Sequence, residues 1–196
     1  FEAGDYLGGH TRTVRINLGG KIHTVDLGFL VYNEKTYPRF LQVLDRLGVH
    51  SQPCVAACSF RNDRTHLEFT DRSTAGFFAN PTNYLRPAVY SVLANLARFR
   101  RDAAKLLQAR DISTTLRDFL NVHRYGHDFH ENYLFPILST VWCAEPSDPL
   151  ATLAWHAFNI LDIHGFLTSR GRPSWRVIRG GSFRYIGKLT ARFPDA

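Results

Sequence analysis

The chain has 196 residues, 44% hydrophobic, 13% aromatic and 21% charged. That is the make-up of a protein with a sizeable folded core, and it excludes intrinsic disorder, collagen and a small disulfide scaffold. Net charge is +7, and of the 24 basic residues four are Lys (Lys21, Lys35, Lys105, Lys188), leaving 20 Arg; the balance favours anionic partners, or reflects an Arg-rich solvated surface.

The Arg residues run from Arg12 to Arg192 with no long block, so nucleic acid is not an expected partner, while peripheral contact with a membrane is allowed. No apolar run approaches the ~20 residues that span a bilayer. Cys54, Cys58 and Cys143 make an odd number with no C-x-x-C pair, which fits a reducing, cytoplasmic setting. Methionine is absent, position 1 included, and the chain opens and closes as if inside structural elements. It reads as a piece cut at both ends, and Phe1 to Gly9 do not read as a signal peptide.

In chain order, Thr13 to Asn17 and Ile22 to Asp26 flank Leu18-Gly19-Gly20-Lys21, the signature of a β-hairpin within a β-rich stretch from Arg12 to Val31. Tyr37-Pro38 then opens an amphipathic helix with Phe40, Leu41, Leu44 and Leu47 on one face, closed by Gly48. Cys54 to Phe60 and Thr65 to Phe69 predict a second hairpin across Arg61 to Arg64, with Cys54 and Cys58 facing the same side as small buried thiols. Helices follow over Tyr90 to Leu107, from Ser113-Thr114-Thr115-Leu116 onward, over Asn132 to Trp142 and over Pro149 to His164. Most of Tyr133, Phe135, Trp142, Trp155 and Phe158 belong to that helical core, with one or two lining an apolar pocket. Trp175 to Ile178 reads as a strand, followed by Gly180-Gly181 and a helix from about Phe183 to Phe193.

This order predicts an α/β protein with an α+β insertion: a partial dinucleotide-binding, Rossmann-like domain interrupted by a mainly helical substrate domain. Residues 1–50 form part of the cofactor domain, 51–172 the helical domain with its hairpin, and 173–196 the returning strand and helix.

The stretch Glu2-Ala3-Gly4-Asp5-Tyr6-Leu7-Gly8-Gly9-His10-Thr11 places an acid at a strand end just ahead of a Gly-Gly pair. In dinucleotide folds a carboxylate so placed accepts the ribose hydroxyls, about 20 residues after a G-x-G-x-x-G that would here stand upstream of residue 1. An ordinary surface loop with two turn glycines is the other reading. Arg179-Gly180-Gly181-Ser182 between strand and helix is either a ligand-facing helix start or a structural β-α turn. His123, His127 and His130 fall at i, i+4 and i+7 and could share a helix face, but Gly126 weakens that helix and no carboxylate or Cys completes a metal pattern, so no metal is expected. No catalytic residue is assigned.

The first stretch followed at a set distance by Asp26-Leu27-Gly28-Phe29-Leu30-Val31-Tyr32-Asn33-Glu34 resembles the flavin-containing amine oxidase superfamily. With Trp175-Arg176-Val177-Ile178-Arg179-Gly180-Gly181-Ser182 it is similar to bacterial NAD/FAD-binding oxidoreductases found beside cyclopropane-fatty-acid synthase-like enzymes. The resemblance implies FAD as cofactor: Glu2 on the adenosine ribose, Gly8, Gly9 and His10 along the pyrophosphate and ribityl region, and Leu27, Gly28, Phe29 and Leu30 against the isoalloxazine ring. His10 stands where many members have Arg, keeping a donor but losing the permanent charge. The implied activity is hydride transfer to flavin from a C–N or C–C bond of a small or lipid-like substrate. A reading from another class is a non-catalytic basic module that binds nucleic acid or an anionic membrane surface.

Overall fold

The computed structural model describes residues 4–142, 148–168 and 172–191. Glu2, Cys143 and the tail from Arg192 lie outside these, as does the side chain of Trp142. The chain divides into two units, one holding the described residues up to Ala56 together with those from Pro173 on, the other Ala57–Arg172.

In the first unit, β1 (Thr13–Leu18) and β2 (Lys21–Asp26) form an antiparallel hairpin pairing Thr13 with Asp26 and Leu18 with Lys21, around the Gly19-Gly20 turn. A short β3 (Tyr32–Asn33) follows, then α1 (Pro38–Arg46), whose proline occupies the first turn, where a missing N–H costs nothing. The carbonyls beyond α1, at Leu47 and Gly48, accept the Lys188 ammonium at 2.7 and 2.9 Å, a cation placed where the helix dipole favours it.

β4 (Ser51–Cys54) and β7 (Trp175–Ile178) complete a three-stranded antiparallel sheet in the order β3-β7-β4, and α7 (Phe183–Thr190) follows. Residues 51–54 therefore belong with this unit and not with the second hairpin. Pro53 is tolerated because β4 is an edge strand, needing no N–H on its outer side. The core of the unit is an aromatic cluster in which Phe40 meets Phe29, Tyr32 and Tyr185 edge to face at 5.1–5.3 Å, over Leu44 and Ile178. Every described strand pair is antiparallel, so these strands do not themselves make the parallel sheet of a dinucleotide fold.

The second unit opens with the hairpin β5 (Ser59–Asn62) and β6 (Leu67–Thr70), shorter than the sequence pattern suggests because residues 55–58 form no strand. Cys54 thus sits in a different sheet from the hairpin near Cys58, and the two thiols do not share a strand face. Helix α2 (Pro87–Ala109) spans about 35 Å at 1.5 Å per residue. It buries Val89, Val92, Leu96, Phe99, Ala103 and Leu106, a stripe at the helical period.

α3 (Leu116–His123) starts at Thr115, whose hydroxyl oxygen accepts the Asp118 N–H while the Asp118 carboxylate accepts the Thr115 hydroxyl, a reciprocal cap. α4 (His127–Phe129) leads into a π-helical turn over His130–Leu134 and then α5 (Phe135–Trp142). Pro136 offers no N–H to the Asn132 carbonyl and its ring crowds it, which accounts for the widened turn ahead of it. α6 (Ala154–Ile163) completes the unit. Phe99 lies at the centre of its core, against Phe129, Phe158, Tyr125 and Phe119 with ring centroids 5.1–6.4 Å away. Tyr133 and Phe158 are fully buried there, while Phe135 and Trp155 pack against it part-exposed.

Candidate functional site

Residues 8–12 and 27–29 run beside one another at the base of the hairpin. The Thr11 N–H donates to the Gly8 carbonyl at 2.8 Å, closing a tight turn, and the Leu27 N–H donates to the Arg12 carbonyl at 2.8 Å. The His10 carbonyl accepts both the Arg12 N–H at 3.1 Å and the Phe29 N–H at 2.8 Å. Gly8 has φ +125°, and a Cβ there would stand 2.6 Å from the Thr11 carbonyl oxygen, so the turn itself demands glycine. A Cβ on Gly28 would stand 2.1 Å from the His10 carbonyl oxygen. The space beside Gly28 is thus filled by the chain's own backbone, which by itself requires glycine there.

The other expected site residues divide. Glu2 lies outside the described residues. Gly9 has open space where its Cβ would be, and His10, Leu27 and Leu30 are exposed, Leu27 and Leu30 by about half. Phe29 instead turns its ring inward, against Phe40 at 5.3 Å and Tyr32 at 6.4 Å. Gly9, His10, Leu27 and Leu30 therefore leave an exposed, largely apolar strip of backbone and side chains beside a buried aromatic anchor.

The strip is held from behind by Asp26. Its carboxylate accepts the Thr13 hydroxyl, the Ser182 N–H at 2.9 Å and the Ser182 hydroxyl at 2.9 Å. The Ser182 hydroxyl also lies 3.2 Å from the Phe29 carbonyl, the Phe183 N–H donates to the Thr13 hydroxyl at 3.0 Å, and the Thr11 and Tyr185 hydroxyls are hydrogen-bonded. The first N–H groups of α7 are consequently satisfied by Asp26 and Thr13, so the Arg179-Gly180-Gly181-Ser182 turn is a structural β-α turn at those groups. Sequence reasoning missed this network, and the residues forming it carry no local mark of their distant partners.

The second unit contains a cavity of about 350 Å³ walled by Phe60, Phe69, Cys58, Glu131, Asn132 and Thr140. Burial, and secondarily the Asp71 carboxylate, pushes the Cys58 thiol up to about 11, with Arg172 opposing. It is therefore protonated at neutral pH and a poor nucleophile. In a peptide-mapped alkylation time course at pH 8, Cys58 should label at least about tenfold more slowly in the folded protein than in urea; equal rates would show that the native thiol is not shielded.

His123 ends α3, and Arg124 turns left-handed after it (φ 48°), so His123 does not share a helix with His127 and His130. No cluster of metal-ligating side chains occurs among the described residues. His123 instead faces Asp102 at 3.4 Å, beside the Tyr125 hydroxyl that donates to the same carboxylate at 3.0 Å. Among the described residues no helix is long and apolar enough to cross a membrane.

Small antiparallel sheets joined to a helical unit are similar in fold to a flavin-dependent amine oxidase. A solved putrescine oxidase, a triple mutant redesigned in cofactor binding, superposes with a TM-score of 0.58 at 15% identity, covering 99% of this chain. The chain spans 43% of the length of that structure's chain. The model of the flavin-containing amine oxidoreductase family matches residues 1–181, and the chain belongs to that family. Membership assigns it a flavin cofactor, consistent with FAD. No curated protein matches.

Proposed function

We propose that the chain forms the cofactor-side and part of the substrate-side structure of an FAD-dependent, amine oxidase-like oxidoreductase. The observation that carries this reading is the exposed strip of Gly9, His10, Leu27 and Leu30 at a turn that leaves no room for a Cβ on Gly8 or Gly28, within a stretch matched by the family model. A flat ring system can lie along such a strip with apolar side chains against it and backbone close by. Glu2 is assigned the adenosine ribose, Gly8, Gly9 and His10 the pyrophosphate and ribityl region, and Leu27, Gly28 and Leu30 the ring, with Phe29 contributing its backbone.

When bound, the flavin would supply a two-electron acceptor for the oxidation of a C–N or C–C single bond, the hydride leaving from a C–H on a carbon of that bond. The chain's own residues orient and shield that site: Leu27 and Leu30 exclude water from one side, and Asp26 fixes the strip through Ser182 and Thr13. The second unit, residues 57–172, is assigned the substrate. Its cavity joins the rings of Phe60 and Phe69 to Asn132 and Glu131, which suits a small or lipid-like molecule carrying a polar or amine end. A cytoplasmic setting is part of the reading, supported by the free thiols of Cys54 and Cys58.

The test is flavin retention. Glu2→Ala removes a charge-assisted contact to the ribose, worth about 1.5–3 kcal/mol, and should weaken FAD binding by about 10- to 100-fold. Flavin absorbance after exhaustive dialysis reads the effect. Retention equal to the parent's would remove Glu2 from the site.

A further inference from the structure

The tip of the β1-β2 hairpin points to an interaction that the flavin reading does not use. Cross-strand partners share a face, so Val14 and Val25, Ile16 and His23, and Leu18 and Lys21 lie together on one side of the ribbon. On that side Ile16, Val25 and Leu18 are 38%, 37% and 60% exposed, and Ile22, on the opposite face beside the turn, is 67% exposed. Leu18 and Ile22 thus flank Gly19-Gly20 at the end of a two-stranded ribbon that projects about 17–20 Å from its base.

The charges around these apolar residues have one sign. Arg12, Arg15 and Lys21 are exposed, as is His23. The sole acid of the hairpin, Asp26, sits at the base, taken up by Ser182 and Thr13. Arg12 and Arg15 lie over the rings of Tyr6 and Phe183, contacts that steady both guanidinium groups without neutralising them.

We propose that the hairpin tip is a peripheral docking element for an anionic lipid surface, with Leu18 and Ile22 entering the headgroup boundary and Lys21 and Arg15 pairing with lipid phosphates. Charge complementarity selects this occupant: an apolar tip ringed by unopposed cations matches a surface that is apolar beneath and negative above. A second copy would instead bring the same cations face to face. The tip lies at the opposite end of the ribbon from Leu27 and Leu30, so docking leaves the proposed flavin strip free, and the inference stands or falls independently of that reading.

The test is co-sedimentation of the full chain with vesicles of phosphatidylcholine alone or with about one-third phosphatidylglycerol. Binding is expected only to the second kind and should fall as salt rises. Lys21→Glu should weaken it about 25-fold, since each unit charge near the surface contributes roughly fivefold and the swap changes the charge by two. Leu18→Asp with Ile22→Asp should abolish it; both positions are exposed, and circular dichroism checks that the fold persists. Leu18→Trp supplies a second readout, a blue shift of its fluorescence on adding the anionic vesicles. Equal binding to neutral vesicles, unchanged binding by the Asp variants, or no blue shift would overturn the proposal. So would an equilibrium-sedimentation dimer that the Asp variants dissolve in a chain that ignores both kinds of vesicle, which would assign the tip to a second copy.

Discussion

Gly28→Val is expected to strip the protein of flavin and to lower its stability even without flavin. The reason lies in the chain's own backbone. A Cβ at this position would stand 2.1 Å from the His10 carbonyl oxygen and 3.0 Å from its carbon, so the two segments must separate. Separation stretches or breaks the 2.8 Å bond from the Phe29 N–H to that carbonyl and tilts the strip on which Leu27 and Leu30 stand. Overpacking that forces such a backbone shift costs about 1–3 kcal/mol.

A displacement of about 1 Å at a reacting centre can cost on the order of 100-fold in rate, so activity should suffer more than the fold. Gly28→Ala separates two causes. If the obstacle is the His10 carbonyl, Ala already meets it, and both variants should melt below the parent in the flavin-free state. If the obstacle were only a bound ring, both flavin-free variants would melt with the parent. Thermal unfolding of the flavin-free protein with flavin content by absorbance makes the distinction, and a Val variant that melts and holds flavin like the parent would reject the packing account.

Local grammar made much of the first unit legible. The Gly19-Gly20 turn between alternating runs yields β1 and β2, Pro38 and Gly48 bracket α1, and Trp175-Arg176-Val177-Ile178 forms β7 over those four residues. Where long-range partners decide, the sequence was silent. Ser51-Gln52-Pro53-Cys54 has neither alternation nor β-branched residues and is a strand only because β7 offers it an edge. Cys54 and Cys58 consequently fall into separate elements, although their spacing suits one strand. The three histidines fail as a helix face for a related reason: the left-handed Arg124 ends α3 before Gly126 caps the next helix.

The site shows the same division. Glycine at positions 8 and 28 is visible in the sequence, but the atoms that exclude a side chain belong to Thr11 and His10 and emerge only when the two segments pair. Phe29 lies within the motif expected to face the ring, yet burial against Phe40 and Tyr32 competes for its aromatic surface and wins the side chain.

Asp26→Ala should be the most destabilising change in the first unit outside its aromatic core. Ser182 is 1% exposed, and its N–H and hydroxyl both find their acceptor in the Asp26 carboxylate, 156 positions away in the chain. Removing that acceptor strands the buried Ser182 N–H, leaves the Ser182 hydroxyl only its 3.2 Å contact with the Phe29 carbonyl, and frees the Thr13 hydroxyl, which itself receives the Phe183 N–H. A buried donor left unpaired costs about 1–3 kcal/mol and the lost hydroxyl bonds add to it, so a loss of about 3 kcal/mol is expected, a fall in Tm of about 6–12 °C for a chain of this size. Asp26→Asn keeps one acceptor oxygen but removes the charge that the N-terminus of α7 favours, and should fall between the two. Ser182→Ala removes the hydroxyl alone, leaves the N–H on Asp26, and should cost about 1 kcal/mol. Thermal unfolding followed by circular dichroism ranks the three. If Asp26→Ala melts no lower than Ser182→Ala, the carboxylate is not what ties the hairpin to the β7-α7 turn. Flavin retention in the Asn variant then asks the functional question, because loosening this tie moves the Leu27 to Leu30 strip while leaving every residue of the strip in place.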